Sequence, residues 1–241
     1  MNKLVLALIA PAIAAGSPEA RAQSAATAEA PWLAFGGAQF SGSSAYTYAG
    51  AVRFDAGQLL GSGPFSRAVV SMLRYRYDTE QNGQRVRVHA HAPGIEFARG
   101  HAWSTGSSQI ELALAVGARH SRLDPQGLDD SVEGTRASVS PQAALIQQLA
   151  DGWTLEARAA YSLGPRDHHV RLRGHRPVGG AWVAGAEAAY QAGRRYADAA
   201  AGVVIGRNWD HGVQTTFSAG QQRDRDGRTG TYLTFGMSWV P

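Results

Sequence analysis

The sequence predicts an all-β fold: a transmembrane, antiparallel, up-and-down β-barrel of about twelve strands. Three observations carry this. Ile110-Glu111-Leu112-Ala113-Leu114-Ala115-Val116-Gly117 alternates strictly, with Ile110, Leu112, Leu114 and Val116 on one face and Glu111 and small residues on the other. Trp153, Leu155, Ala157, Ala159, Tyr161 and Leu163 alternate in the same way with Thr154, Glu156, Arg158, Ala160 and Ser162. The polar faces carry charges that a soluble core would have to pair, while aromatics gather toward the ends of the greasy faces. Apolar toward lipid, polar toward a lumen and aromatic at the interfaces is the pattern of a membrane barrel.

The chain can be parsed in order. Trp32–Phe40 is a first strand, and Gly42-Ser43-Ser44 a short turn. A second strand, Tyr46–Phe54, sets Tyr46, Tyr48, Val52 and Phe54 against Thr47, Ala49, Ala51 and Arg53. After a Gly-rich connection, Asp55–Pro64, a third strand runs from Phe65 to Tyr77. The fourth begins Arg85-Val86-Arg87-Val88-His89-Ala90-His91-Ala92, and the apolar phase flips at Pro93-Gly94, which predicts a bulge or bend. The fifth, about Ser107–Ser121, leads into a long polar connection, Arg122–Glu133. Strands follow at Thr135–Leu149, Trp153–Leu163, His168–His175, Ala181–Tyr190, Arg195–Arg207, His211–Gln222 and Thr229–Val240. Connections after even strands read as short, those after odd strands as longer, with Asp55–Pro64 against the trend. A soluble sandwich or closed soluble barrel also alternates, but these strands run long for a sandwich.

Met1–Ala22 reads as a secretory signal peptide: Lys3 supplies a positive start, Leu4–Ala15 an apolar stretch interrupted by Pro11, and Ala20-Arg21-Ala22 a cleavage site. Residues 23–31 read as a periplasmic linker and 32–241 as the barrel. No other apolar run approaches the ~20 residues that a membrane helix needs. The absence of cysteine excludes disulfides and thiolate nucleophiles. Net charge is mild, +4 over the whole sequence, and Lys3 is the only lysine. The arginines alternate along strands rather than forming one basic face, which argues against nucleic acid as a partner.

Several stretches resemble the cellulose biosynthesis protein BcsS family. They are Ala45-Tyr46-Thr47-Tyr48-Ala49-Gly50-Ala51-Val52, Leu73-Arg74-Tyr75-Arg76-Tyr77-Asp78, Gly117–Pro125 with Glu133-Gly134-Thr135-Arg136, and Gly185-Ala186-Glu187 with Tyr190, Gly193 and Arg194. The resemblance implies an outer-membrane barrel acting in cellulose production or export, in contact with outer-membrane lipid. Cellulose itself, or components of its synthesis and export, are the implied partners. None of these stretches is a catalytic signature.

Alternation assigns Arg74, Arg76, Arg85, Arg87, His89, His91, Glu111, Arg119, Glu156, Arg158, Arg171, Arg173, Glu187 and Asp198 to the lumen. Such a set either meets a glycan or solute, or ion-pairs into a plug. The plug is favoured, because buried Arg and Glu need one another and an intermediate strand number leaves little free space. His89 and His91 share a face at a spacing that could serve a metal, but no third ligand is evident, so no metal or cofactor is expected. His120-Ser121 has the residue types of barrel enzymes that deacylate lipid A; adjacent strand residues face opposite ways, which denies the pair a shared proton. The expectation is a non-enzymatic barrel. A lipid-A-modifying enzyme and a passive pore or adhesive barrel are the alternatives. The six tryptophans, mostly at strand ends, read as interfacial anchors rather than sugar platforms.

Overall fold

Each alternating stretch forms a strand. In chain order they are β1 (Trp32–Ser41), β2 (Ser44–Phe54), β3 (Gly63–Gln81), β4 (Gln84–Thr105), β5 (Ser108–Asp124), β6 (Gly134–Gln148), β7 (Thr154–Ser162), β8 (Asp167–Gly179), β9 (Trp182–Ala192), β10 (Ala197–Asn208), β11 (Val213–Asp224) and β12 (Thr229–Trp239). The computed structural model describes residues 32–81, 83–126, 133–164, 166–193 and 196–241. The expected signal peptide and linker, and Asp129-Asp130 of the long connection, lie outside the described residues. Every strand pairs antiparallel with its neighbours, and β1 closes on β12 from Ala34↔Trp239 to Ser41↔Tyr232. Closure leaves no sheet edge through the central band, as a hydrocarbon environment requires.

The outer face of that band is apolar. Ile110, Leu112, Leu114 and Val116 on β5, Val203 and Ile205 on β10, Phe217 on β11, and Leu233 and Phe235 on β12 all point outward and are exposed. In water this would be a severe aggregation surface; against lipid it is the matched solvent. All six tryptophans sit at the end of the barrel that carries the chain termini. Trp32 and Trp239 meet edge-on at 5.4 Å across the closing seam. The Arg207 guanidinium covers Trp209 at 3.9 Å and Trp182 at 5.1 Å. Trp103 lies within β4, pointing outward beside His101. At the opposite end Phe40, Tyr161 and Tyr190 form a sparser aromatic rim.

The height of the wall is uneven. β1, β2 and β7 have 10, 11 and 9 residues, whereas β3, β4 and β5 have 19, 22 and 17. A tilted strand crosses the bilayer in ~9–11 residues, so β3–β5 stand well clear of the apolar band. The asymmetry expected from loop lengths is therefore carried by strand extension. β5 continues through Arg122 to Asp124, while the β1–β2 turn is only Gly42-Ser43.

The tall wall corrects the phase flip expected at Pro93-Gly94. Pairing with β3 runs unbroken through Ala92↔Leu73, Pro93↔Met72 and Gly94↔Ser71, with no bulge. What changes there is the medium outside the barrel. Below Pro93 the outward residues are Ile95 and Phe97; above it they are His91, His89, Arg87 and Arg85. The inward row stays apolar through Ala92, Ala90 and Val88.

A second correction concerns the aromatic residues of β2 and β3. Placing Arg74 and Arg76 in the lumen puts Leu73, Tyr75 and Tyr77 on the lipid side, yet they are buried inside, and so are Tyr46, Tyr48, Val52 and Phe54. With Phe35 and Phe65 they coat the β1–β4 half of the interior. The outward face of β2 is instead Ala45, Thr47, Ala49 and Ala51. Twelve strands enclose a space that small residues cannot fill, so the bulk goes inward. Tyr46 stacks on Tyr48 at 5.6 Å, and Tyr75 on Tyr77 at 6.0 Å.

The rings lie flat because inward glycines leave room for them. A Cβ on Gly50 would fall 2.5 Å from the Ala68 carbonyl oxygen and 2.7 Å from the Phe35 ring. A Cβ on Gly100 would meet Phe65 at 2.6 Å. Gly50→Val should force Phe35 off the wall and cost roughly 1–3 kcal/mol. Urea unfolding of the refolded barrel should show the lower midpoint, while Gly42→Ala, with open space around it, should leave it unchanged.

Candidate functional site: lumen and rim

Lumen-facing charge is concentrated on β7–β9. Successive inward residues along one row across the sheet are Glu156, Arg173 and Glu187, paired as Glu156↔Arg173 and Arg173↔Glu187. The adjoining row pairs Arg158 with Arg171. Signs alternate between neighbouring strands in the first row, the favourable cross-strand arrangement, whereas Arg158 and Arg171 set like charges opposite one another and rely on Glu156 and Glu187 to offset them. Arg173 Nη2 donates to Glu187 Oε2 at 2.9 Å, and Arg171 Nη2 lies 3.7 Å from Glu187 Oε1. His175 Nε2 is 3.2 Å from Glu156 Oε1, and Arg158 Nη2 is 3.7 Å from Glu156 Oε2.

Several contacts cross the lumen rather than follow its wall. Tyr232 on β12 donates to Glu187 on β9 at 3.0 Å. Arg67 on β3 donates to Gln142 on β6, and Gln142 Nε2 donates to Glu96 Oε1 on β4 at 3.2 Å. Tyr48 on the aromatic wall lies within electrostatic reach of Arg171, Arg158 and Arg173 opposite. Arg67, Glu156, Arg158 and Glu187 are each 5–7% exposed. These chords brace the interior at mid-depth.

Of the fourteen lumen candidates, the structure turns Glu111, Glu156, Arg158, Arg171, Arg173 and Glu187 inward. Arg119 and Asp198 also face in. The other six, Arg74, Arg76, Arg85, Arg87, His89 and His91, correct the expectation: all point outward and are exposed. Their alternation is real, but it belongs to strand segments above the apolar band, where water is outside and the bulky residues are inside. His89 and His91 face out opposite Asp124 and Arg122. Among the described residues no three metal-ligating side chains come together. His120 points out and bonds Thr135 Oγ1 at 2.8 Å, whereas Ser121 is buried facing in.

Sequence reading missed Arg67, Glu96, Gln142, His175 and Tyr232. Glu96 was detectable, as the polar residue between outward Ile95 and Phe97. Arg67 was not, because its neighbours Ser66 and Ala68 give no contrast.

At the end opposite the termini, the short β1–β2 hairpin leaves a notch beside the tall β3–β4 wall. This polar cavity of about 820 Å³ is floored by Ser41–Ser43 and flanked by Arg76 and Arg87 on one side and Asp224 and Arg228 on the other. Arg76 Nη2 caps the Gly42 carbonyl at 3.0 Å. Beside it, Asp78 accepts from Arg87 Nε at 2.9 Å and from Arg85, and these bonds pull its carboxyl down to about 2.

A depressed carboxylate pKa supports the fold above its unfolded value of about 4 and loses that support as pH falls through the folded value. The Asp78 tie should therefore persist at pH 4 and release toward pH 2. A carboxyl NMR titration should give the low midpoint in the native barrel and a midpoint shifted upward in Arg87→Gln. Within the lumen, Glu187→Ala strands Arg171 and Arg173 without their shared carboxylate. Loss of a buried partner costs about 3–5 kcal/mol, so the urea midpoint should fall well below that of Gly42→Ala.

No curated protein matches the chain. Among solved structures it resembles the KdgM porin at 10% identity, with 87% of this chain and 99% of that one covered and a TM-score of 0.56. An outer-membrane channel from Pseudomonas putida aligns over 88% of this chain and 96% of its own, at 10% identity and a TM-score of 0.61. The translocator domain of the autotransporter NalP from Neisseria meningitidis aligns over 93% and 97%, at 11% identity and a TM-score of 0.54. At such identities the likeness is one of fold: a closed all-β barrel of the outer-membrane kind. Residues 33–240, nearly the whole barrel, match the family model described as cellulose biosynthesis protein BcsS, and the chain belongs to that family.

Proposed function

We propose that this barrel is a non-enzymatic accessory of cellulose production, seated in the bacterial outer membrane after loss of Met1–Ala22, and that it works through its external rim. The termini and tryptophan girdle then face the periplasm, and the tall β3–β5 wall faces outward. The observation that carries the reading is the bracing of the lumen by the Arg67–Gln142–Glu96 and Tyr232–Glu187 chords. A glucan chain threading the barrel would have to break them. The rim notch offers what a hydroxyl-rich chain needs: carboxylate acceptors and guanidinium donors in an open polar trough. Its partners are a glucan or a component of the synthesis and export machinery meeting that rim.

A clean deletion in the native host, with cellulose scored separately inside the envelope and outside the cell, tests this. Synthesis should continue while external cellulose falls or its fibres assemble differently. Unchanged cellulose in both places would refute the role. Asp224→Asn with Arg228→Gln should reproduce the deletion, and in planar bilayers the purified barrel should show no steady open-pore conductance. A large steady conductance would favour a passive pore.

A further inference from the structure

Of the six residues that left the lumen, Arg74, His89 and His91 lie outside the notch and, with Arg122, form a second surface. Arg74, His91 and Arg122 lie side by side on β3, β4 and β5, through the pairings Arg74↔His91 and His91↔Arg122. All three point outward and are exposed. The next outward row brings Arg76 and His89 together. His120 lies just below Arg122 on β5, and Arg122 Nε approaches His120 Nε2 at 3.3 Å. Among the described residues no carboxylate pairs with Arg74 or Arg122. The outward acids of these strands sit higher: Asp124 opposite His89, and Asp78 held by Arg85 and Arg87.

The position of the row identifies its occupant. Below it, past Met72, Pro93, His120 and Ala118, come the exposed apolar outward residues Val70, Ile95 and Val116. Outward rows on a strand are separated by ~7 Å; Arg74 and His91 stand two rows above Val70 and Ile95, and Arg122 three rows above Val116, on strands tilted to the membrane normal. That is headgroup height. Guanidinium groups that no described carboxylate pairs with suit phosphate, which accepts forked hydrogen bonds from arginine. Elsewhere the rim carries Phe40, Tyr161 and Tyr190, which anchor to an interface without selecting charge, and the outward Arg223 of β11.

We infer that the outward face of β3–β5 is a binding site for the phosphorylated headgroup of an outer-leaflet glycolipid, with Arg74 and Arg122 as its phosphate ligands and Val70, Ile95 and Val116 against its acyl chains. This rests on the outer-membrane reading, with the tall wall outward. The site is distinct from the lumen and from the notch.

The test uses the intact barrel refolded in detergent, titrated with bisphosphorylated lipid A and with the same lipid after enzymatic dephosphorylation, and read by native mass spectrometry. The phosphorylated lipid should be retained about tenfold more strongly, the scale of one or two charge-assisted hydrogen bonds. Arg74→Gln with Arg122→Gln should abolish the preference. Arg176→Gln, an exposed outward arginine near the opposite end, should preserve it. Heat-modifiable gel mobility verifies folding of each variant, and the single Arg74→Gln serves if the double variant misfolds. Equal retention of both lipids, or a preference untouched by the Arg74 and Arg122 changes, overturns the site. Displacement by equimolar inorganic phosphate overturns the lipid as ligand and leaves bare anion binding. Membrane fractionation reports separately on location, so misplacement of the barrel and failure of lipid binding are distinguishable.

Discussion

Everything in this molecule depends on the closure of β1 against β12. In hydrocarbon an unpaired backbone amide has no water to turn to, and each one costs several kcal/mol. The eight-residue seam from Ala34↔Trp239 to Ser41↔Tyr232 removes the two edges that an open twelve-stranded sheet would present. Once the sheet is closed, each residue faces either lipid or lumen, and period-two alternation fixes which. The interior must then be filled, and the chain fills it asymmetrically. Aromatic bulk from β1–β4 occupies one half and ion pairs from β7–β9 the other, meeting where Tyr48 faces the arginines of β7 and β8.

Strand number, order and most boundaries were legible because alternation is strongest where lipid lies on one side and polar groups on the other. β5 and β7 are the clearest cases: Leu112 against Glu111, and Leu155 against Glu156. The same rule misread Arg74, Arg76, Arg85, Arg87, His89 and His91. Alternation says that two faces differ, but it does not say which face is inside. On β5, β7 and β10–β12 the greasy face within the bilayer is outside; on β1 and β2 the bulk goes inside, and above the bilayer on β3 and β4, with water outside, it does so again. The reversal occurs in mid-strand at Pro93, where proline and glycine together imitate a bulge that the unbroken register does not contain. The cross-lumen chords were illegible for another reason. Arg67 and Gln142 are 75 residues apart in sequence and on strands that do not touch.

The charged interior contributes to specificity more than to net stability. A buried ion pair roughly balances its desolvation, and breaking one is far costlier than never having built it. Glu187 serves Arg173, Arg171 and Tyr232 together, so a register slip of β9 against β8 would strand several groups at once. Such a slip would also turn the whole strand's apolar side chains inward. The lumen network thus reinforces the register that the lipid face already selects.

The crowding of all six tryptophans at one end has an optical consequence. Indole emission depends on the polarity around the ring, and here every ring samples the same interface, with none in the part of β3–β5 above the apolar band or at the far rim. The intrinsic fluorescence of this protein is therefore a one-leaflet signal. A quencher confined to the leaflet beside the termini would darken the barrel, while the same quencher in the other leaflet would leave it bright. The molecule carries its own reporter of which way round it sits.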